Sequence, residues 1–154
     1  MKHLILKSFT IISVVLMTLS FSYKKSETIK KIDYYGNATN KDQLSIIVKN
    51  ELAAKRKPVL FFTATWCGPC KQFKNSLNDP LMLDALKDVT LIMIDADVDG
   101  EREQIGLTKY AVRSYPTFLR VDANGKVIKK TDGGAWDENI PKNMAPVLKK
   151  FMND

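Results

Sequence analysis

Along the chain, apolar positions change period several times, and each change marks an element. Leu44, Ile47, Val48 and Leu52 recur at helical spacing, and Thr39 or Asn40 is placed to cap that helix. Lys57-Pro58 is expected to end it. Val59 to Ala64 is a continuous apolar and β-branched run, the pattern of a strand covered on both faces. A helix is expected to follow over Lys71 to Leu77, with a break at Asn78-Asp79-Pro80 and a short helix over Leu81 to Leu86.

Val89 to Ile94 predicts a second buried strand, and Glu101 to Tyr110 a helix after a turn at Asp99-Gly100. Thr117 to Val121 and Lys126 to Lys130 predict two strands joined by a tight hairpin at Asp122-Ala123-Asn124-Gly125. Gly133-Gly134 opens a loop before a final helix over Asn143 to Met152. The first half reads as a βαβ unit and the second as an antiparallel hairpin. The fold class is therefore α/β, with a central mixed sheet of four to five strands and helices on both faces.

The N-terminus has a different character. Lys2 and Lys7 flank a basic start, and Ser8 to Tyr23 carries no charge. That is an export-signal pattern, short for a spanning helix, with cleavage expected after Ser22. A short uncleaved anchor is the alternative. The expected organisation is a signal over 1–22, a polar tether over 23–38 with a short strand near Ile32 to Tyr35, and one domain over 39–154. Export implies a periplasmic or otherwise extracytoplasmic location.

Charge adds little. The formal value of +7 falls to +5 without Lys2 and Lys7, and the remaining cations are scattered in short clusters. No nucleic-acid stripe is present. An apolar fraction of 45% suits a domain that buries its own core, so a covalent staple is unnecessary and a monomer is expected.

The two cysteines both lie in W-C-G-P-C-K, residues 66–71. Three readings compete. A metal site needs about four ligands, and the chain offers two Cys and one His, His3, which lies in the signal. An inert bridge would close so short a loop that it gains little entropy. A redox pair fits the context. The preceding strand and following helix put Cys67 at a helix N-terminus, where the macrodipole favours a thiolate. Cys70, one turn on, is placed to resolve a mixed disulfide. Gly68 and Pro69 keep bulk off Cys67, and Pro69 suits the first helical turn. Trp66 is expected to shield the site. Asp95-x-Asp97-x-Asp99-Gly100 has the opening of a calcium loop, but Gly106 stands where a bidentate Glu is needed, so it reads as a strand end and turn.

Trp66-Cys67-Gly68-Pro69-Cys70-Lys71 after an apolar strand resembles the thioredoxin family. Tyr115-Pro116-Thr117-Phe118, heading a later strand, is similar to that family's cis-proline loop, and Gly133-Gly134 to its glycine loop. The resemblance covers about residues 40 to 152. It implies the thioredoxin fold, catalytic Cys67 and Cys70 supported by Trp66, Gly68, Pro69 and Pro116, and substrate contact at Tyr115 and Gly133. It implies a disulfide reductase that needs no metal or organic cofactor and takes electrons from a membrane or periplasmic thiol donor. Its partners would be disulfide-containing exported proteins. Lys57-Pro58-Val59 and Asn78-Asp79-Pro80-Leu81 look most like the C-terminal domain of the transporter that delivers electrons to the periplasm. An oxidase or isomerase, or a non-catalytic binding module, are the other readings. One departure matters: the family usually carries a buried Asp six residues before the first Cys, and here that position is Phe61.

Overall fold

A computed structural model describes residues 28–34, 42–95, 97 and 108–154 of the 154-residue chain. Its order is β1 (Lys30–Asp33), α1 (Gln43–Ala53), β2 (Lys57–Thr63), α2 (Gly68–Asn75), α3 (Pro80–Ala85), β3 (Val89–Asp95), β4 (Thr117–Val121), β5 (Val127–Asp132) and α4 (Pro141–Asn153). Five strands form one sheet in the order β1-β3-β2-β4-β5. β1, β3 and β2 run parallel, and β4 and β5 join antiparallel.

The central strands are largely apolar because both sheet faces are covered. Val59 and Phe61 of β2 point into a cluster with Leu91, Phe118, Phe73, Met82, Met144, Leu148 and the two cysteines. Leu60 and Phe62 point the other way, onto Leu44 and Val48 of α1, Ile92, Ile94 and Leu119. The first face is packed by α2, α3 and α4, and the second by α1.

Several boundaries differ from expectation. Lys57-Pro58 begins β2 instead of ending a helix: α1 stops at Ala53, and Lys55 turns the chain at φ 58°. The loss of a proline N–H is tolerated at a strand's start. Leu52, expected on the buried face of α1, is exposed, and Glu51 is buried in its place. Glu51 accepts from Thr90 Oγ1 at 2.6 Å and pairs with Lys30, while Arg56 Nε donates to Thr90 Oγ1 at 2.7 Å. Burial pushes the Glu51 carboxyl up, but the hydrogen bonds from Lys30 and Thr90 and the charges of Lys30 and Arg56 outweigh it and hold the group below its ordinary range.

The stretch read as a tether carries β1, which pairs with β3 from Lys30↔Thr90 to Asp33↔Met93 and so belongs to the sheet. β5 runs to Asp132, two residues beyond the expected end, and α4 starts earlier, at Pro141. The hairpin at 122–125 closes as expected: Asp122 accepts from the amides of Asn124 and Lys126, and Gly125 takes φ 74°. The expected signal, the candidate capping residues Thr39 and Asn40 and most of the helix expected over 101–110 lie outside the described residues; Thr108–Tyr110 form one 3₁₀ turn. No helix among the described residues is long and apolar enough to cross a membrane.

Candidate active site

β2 delivers the chain to the cysteines. After Thr63 the backbone turns, with the Cys67 amide donating to the Ala64 carbonyl at 3.3 Å, and α2 begins at Gly68 with Pro69 in its first turn. Cys67 is the N-cap. Its Sγ accepts from the Cys70 amide at 3.2 Å, and its carbonyl accepts from Lys71 N–H. The sulfur thus occupies the position where a helix presents unpaired donors and the positive end of its dipole.

Cys67 and Cys70 form a disulfide, S–S 2.03 Å and Cα–Cα 5.3 Å. Both are buried, Cys70 completely. Gly68 and Pro69 are exposed, and nothing lies within 4 Å of a Cβ built on Gly68. The outer face of the pair is therefore open to an approaching chain.

The remaining expected residues converge here. The Tyr115–Pro116 peptide is cis, and Pro116 is buried. Gly133 lies against it, its amide donating to the Pro116 carbonyl at 3.0 Å. Ser114 Oγ donates to Asp132 Oδ2 at 3.3 Å, and the Gly134 amide donates to Asp132 Oδ1 at 3.0 Å, so Asp132 ties the proline loop to the glycine loop. Trp66, 69% exposed, stands edge-on to the half-buried Tyr115 ring with centroids 5.6 Å apart. This is a rim of aromatic surface beside the disulfide, not a cover over it.

Beneath the pair the sheet is apolar. Phe61 stacks on Phe118 at 4.9 Å and lies 4.9 Å from Phe73, and its partner on β3 is Met93. The position where the family usually has an acid is part of an aromatic floor.

Sequence reasoning missed Asp97. Its Oδ2 accepts from the Thr65 amide at 2.9 Å, and its own amide donates to Asp95 Oδ1. The Thr65 side chain first, then the Thr65 amide, and further the Trp66 indole hold the Asp97 carboxyl below the ordinary carboxylate range. Asp97 therefore clamps the two residues that precede Cys67. The only hint in the sequence is that the parallel strands β2 and β3 end side by side, Thr63↔Asp95, so that residues just beyond each are neighbours.

A nucleophile at a helix N-terminus, a partner sulfur one turn away and an apolar floor define a thiol–disulfide exchange site. Comparison with known proteins agrees. The family model "Thioredoxin" matches residues 36–146. The chain is 33% identical to Thioredoxin-1 of Drosophila melanogaster over 99 residues, 64% of this chain and 86% of that protein. It is 32% identical over 83 residues to the thiol:disulfide interchange protein DsbD of Pectobacterium atrosepticum, 53% of this chain and 14% of that much longer protein. The thioredoxin of Trypanosoma brucei brucei superposes with a TM-score of 0.55 at 23% identity, covering 86% of this chain and 94% of that one, which shows the shared fold. The chain belongs to the thioredoxin family and is a thiol–disulfide oxidoreductase.

Proposed function

We propose that the protein is an exported reductase of protein disulfides, with Cys67 as nucleophile and Cys70 as resolving thiol. The Cys67 thiolate attacks one sulfur of a client disulfide, the client's other sulfur leaves as a thiolate, and a mixed disulfide forms. Cys70 then attacks Cys67 Sγ, which releases the second client sulfur and leaves the Cys67–Cys70 disulfide. Two electrons from a membrane or periplasmic dithiol protein restore the pair. Tyr115, Pro116, Gly133 and Trp66 dock the client, with Gly68 and Pro69 keeping the approach open.

The observation that carries this reading is Cys67 Sγ at the N-cap of α2, accepting the Cys70 amide and flanked by the open surface of Gly68 and Pro69. The basic, apolar N-terminus supports export, and the similarity to DsbD supports an envelope setting. Disulfide-containing exported proteins are then the clients, and a monomer is sufficient.

The test is a Cys70→Ser variant produced in the native compartment. It should accumulate mixed disulfides through Cys67, visible as adducts on non-reducing gels. Absence of adducts would favour a non-catalytic binding module. The reduction potential decides direction: about −270 mV marks a reductant and about −120 mV an oxidase.

A further inference from the structure

The Thr63 side chain is buried at the end of β2, and among the described residues its hydroxyl has no hydrogen-bond partner. An orphaned buried hydroxyl is costly, so its place in the fold matters. Side chains two residues apart on a strand share a face, so Thr63 lies on the face of Phe61, which belongs to the same buried cluster as Cys67 and Cys70. On β3 its register partner is Asp95. On β4 the pairing runs from Val59↔Arg120 to Phe62↔Thr117 and ends one residue short of Thr63.

Two rows therefore cross the sheet under the disulfide. In the lower row the three central positions, Met93, Phe61 and Phe118, are apolar, and the polar Asp33 and Thr131 stand on the edge strands. The upper row is Asp95 and Thr63. Asp95 Oδ1 is engaged by the Asp97 amide. Thr63 Oγ1 is the buried group of that row left without a hydrogen bond among the described residues.

We propose that the Thr63 hydroxyl is the hydrogen-bond partner of the reduced Cys67–Cys70 pair. This rests on the redox cycle proposed above. In the disulfide, neither sulfur carries a proton and both are poor acceptors, which leaves the hydroxyl idle. A dithiol reductant transfers two electrons and two protons, the S–S bond breaks, and the reductant closes its own disulfide. The hydroxyl then accepts from the Cys70 S–H. In the mixed disulfide it donates to the Cys70 thiolate as that sulfur prepares to attack Cys67 Sγ. The interaction exists only on the reduced side, so it raises the reduction potential and speeds resolution on a floor whose central residues, Met93, Phe61 and Phe118, are apolar.

Wild type, Thr63→Val and Thr63→Ser are equilibrated with dithiothreitol buffers of graded ratio, and release of a small aromatic thiol from the Cys67 mixed disulfide is timed. Thr63→Val should lower the equilibrium constant for reduction about tenfold, which is about 30 mV for a two-electron couple, and slow release to a similar extent. Thr63→Ser should stay within about twofold of wild type. Thermal unfolding gives a second readout. Thr63→Val should leave the oxidised protein as stable or more stable and destabilise only the reduced form. Thr63→Ala serves for the same measurements if the valine variant does not fold. An unchanged potential, or equal Tm shifts in both redox states, overturns the inference. Failure of wild type to exchange with dithiothreitol overturns the proposed redox cycle, and this inference with it.

Discussion

Gly133 and Pro116 are in contact so close that no side chain fits between them. A Cβ at 133 would stand 2.9 Å from Pro116 Cδ and 3.3 Å from Cγ, while the Gly133 amide donates to the Pro116 carbonyl. The atoms that would have to give way belong to the rigid, buried ring of a cis-proline. The glycine is thus required by proximity and not by backbone conformation.

Gly133→Ala should therefore push the two loops apart. A cost of about 1–3 kcal/mol is expected, as for other overpacking changes in a tight site. Turnover of protein clients should fall further than the rate with a small disulfide, because the docking edge moves while the sulfur pair stays. Denaturant midpoints and paired rate measurements on the two kinds of substrate check this, and equal losses on both would show that the contact is structural only.

Asp97→Ala should release Thr65 and Trp66 from their clamp. The Trp66 ring, already exposed and held edge-on to Tyr115, loses its fixed orientation. KM for protein clients should rise several-fold with the potential against dithiothreitol unchanged. Because the folded carboxyl is held below its ordinary range, the clamp is charged at neutral pH and fades only as pH drops through that depressed range. A client KM identical to wild type would remove Asp97 from the site.

The aromatic floor has a kinetic consequence. Cys70 is fully buried beside Phe61, Phe73 and Phe118, and an apolar setting disfavours the thiolate that must form for resolution. Turnover should climb as pH rises beyond neutral. Phe61→Asp should add a base and flatten that climb if the fold tolerates it. A wild-type profile level from pH 6 to 9 would contradict the expectation without any variant.

Glu51 predicts an acid-sensitive corner far from the chemistry. Its folded carboxyl is depressed, so its stabilisation is present above the ordinary glutamate range, roughly pH 4.3, and is lost as pH falls through the lower folded value. Glu51→Gln should cost about 1.5–3 kcal/mol at pH 7, the range for hydrogen bonds to a charged group. The gap to wild type should narrow by pH 3. Urea melts at both values test it, and a constant gap would place the loss in packing.

The strands of the core were legible because their cause is local. A run such as Val59 to Phe62 has one physical use in a covered sheet, and the hairpin at Asp122 to Gly125 is set by its own side chains. The cysteines were legible for the same reason, since spacing and the strand–helix junction place Cys67 at a helix terminus without reference to anything distant. Leu52 was misassigned, and Glu51 passed over, because period alone cannot tell which of two adjacent residues turns inward. Lys30 on β1 and Thr90 on β3 decide that, and both come from elsewhere in the chain.

What the sequence by itself determined was the order of elements, the buried strands and a thiol pair at the head of a helix, all consequences of short-range sterics and periodicity. What only the tertiary structure decided was the company the pair keeps. Parallel pairing of β2 with β3 brings Asp95 beside Thr63 and Asp97 to Thr65, antiparallel pairing of β2 with β4 brings Phe118 to Phe61, and that of β4 with β5 brings Pro116 next to Gly133. Strand register is a choice made by the whole sheet, and it sets which distant side chains face the sulfur atoms.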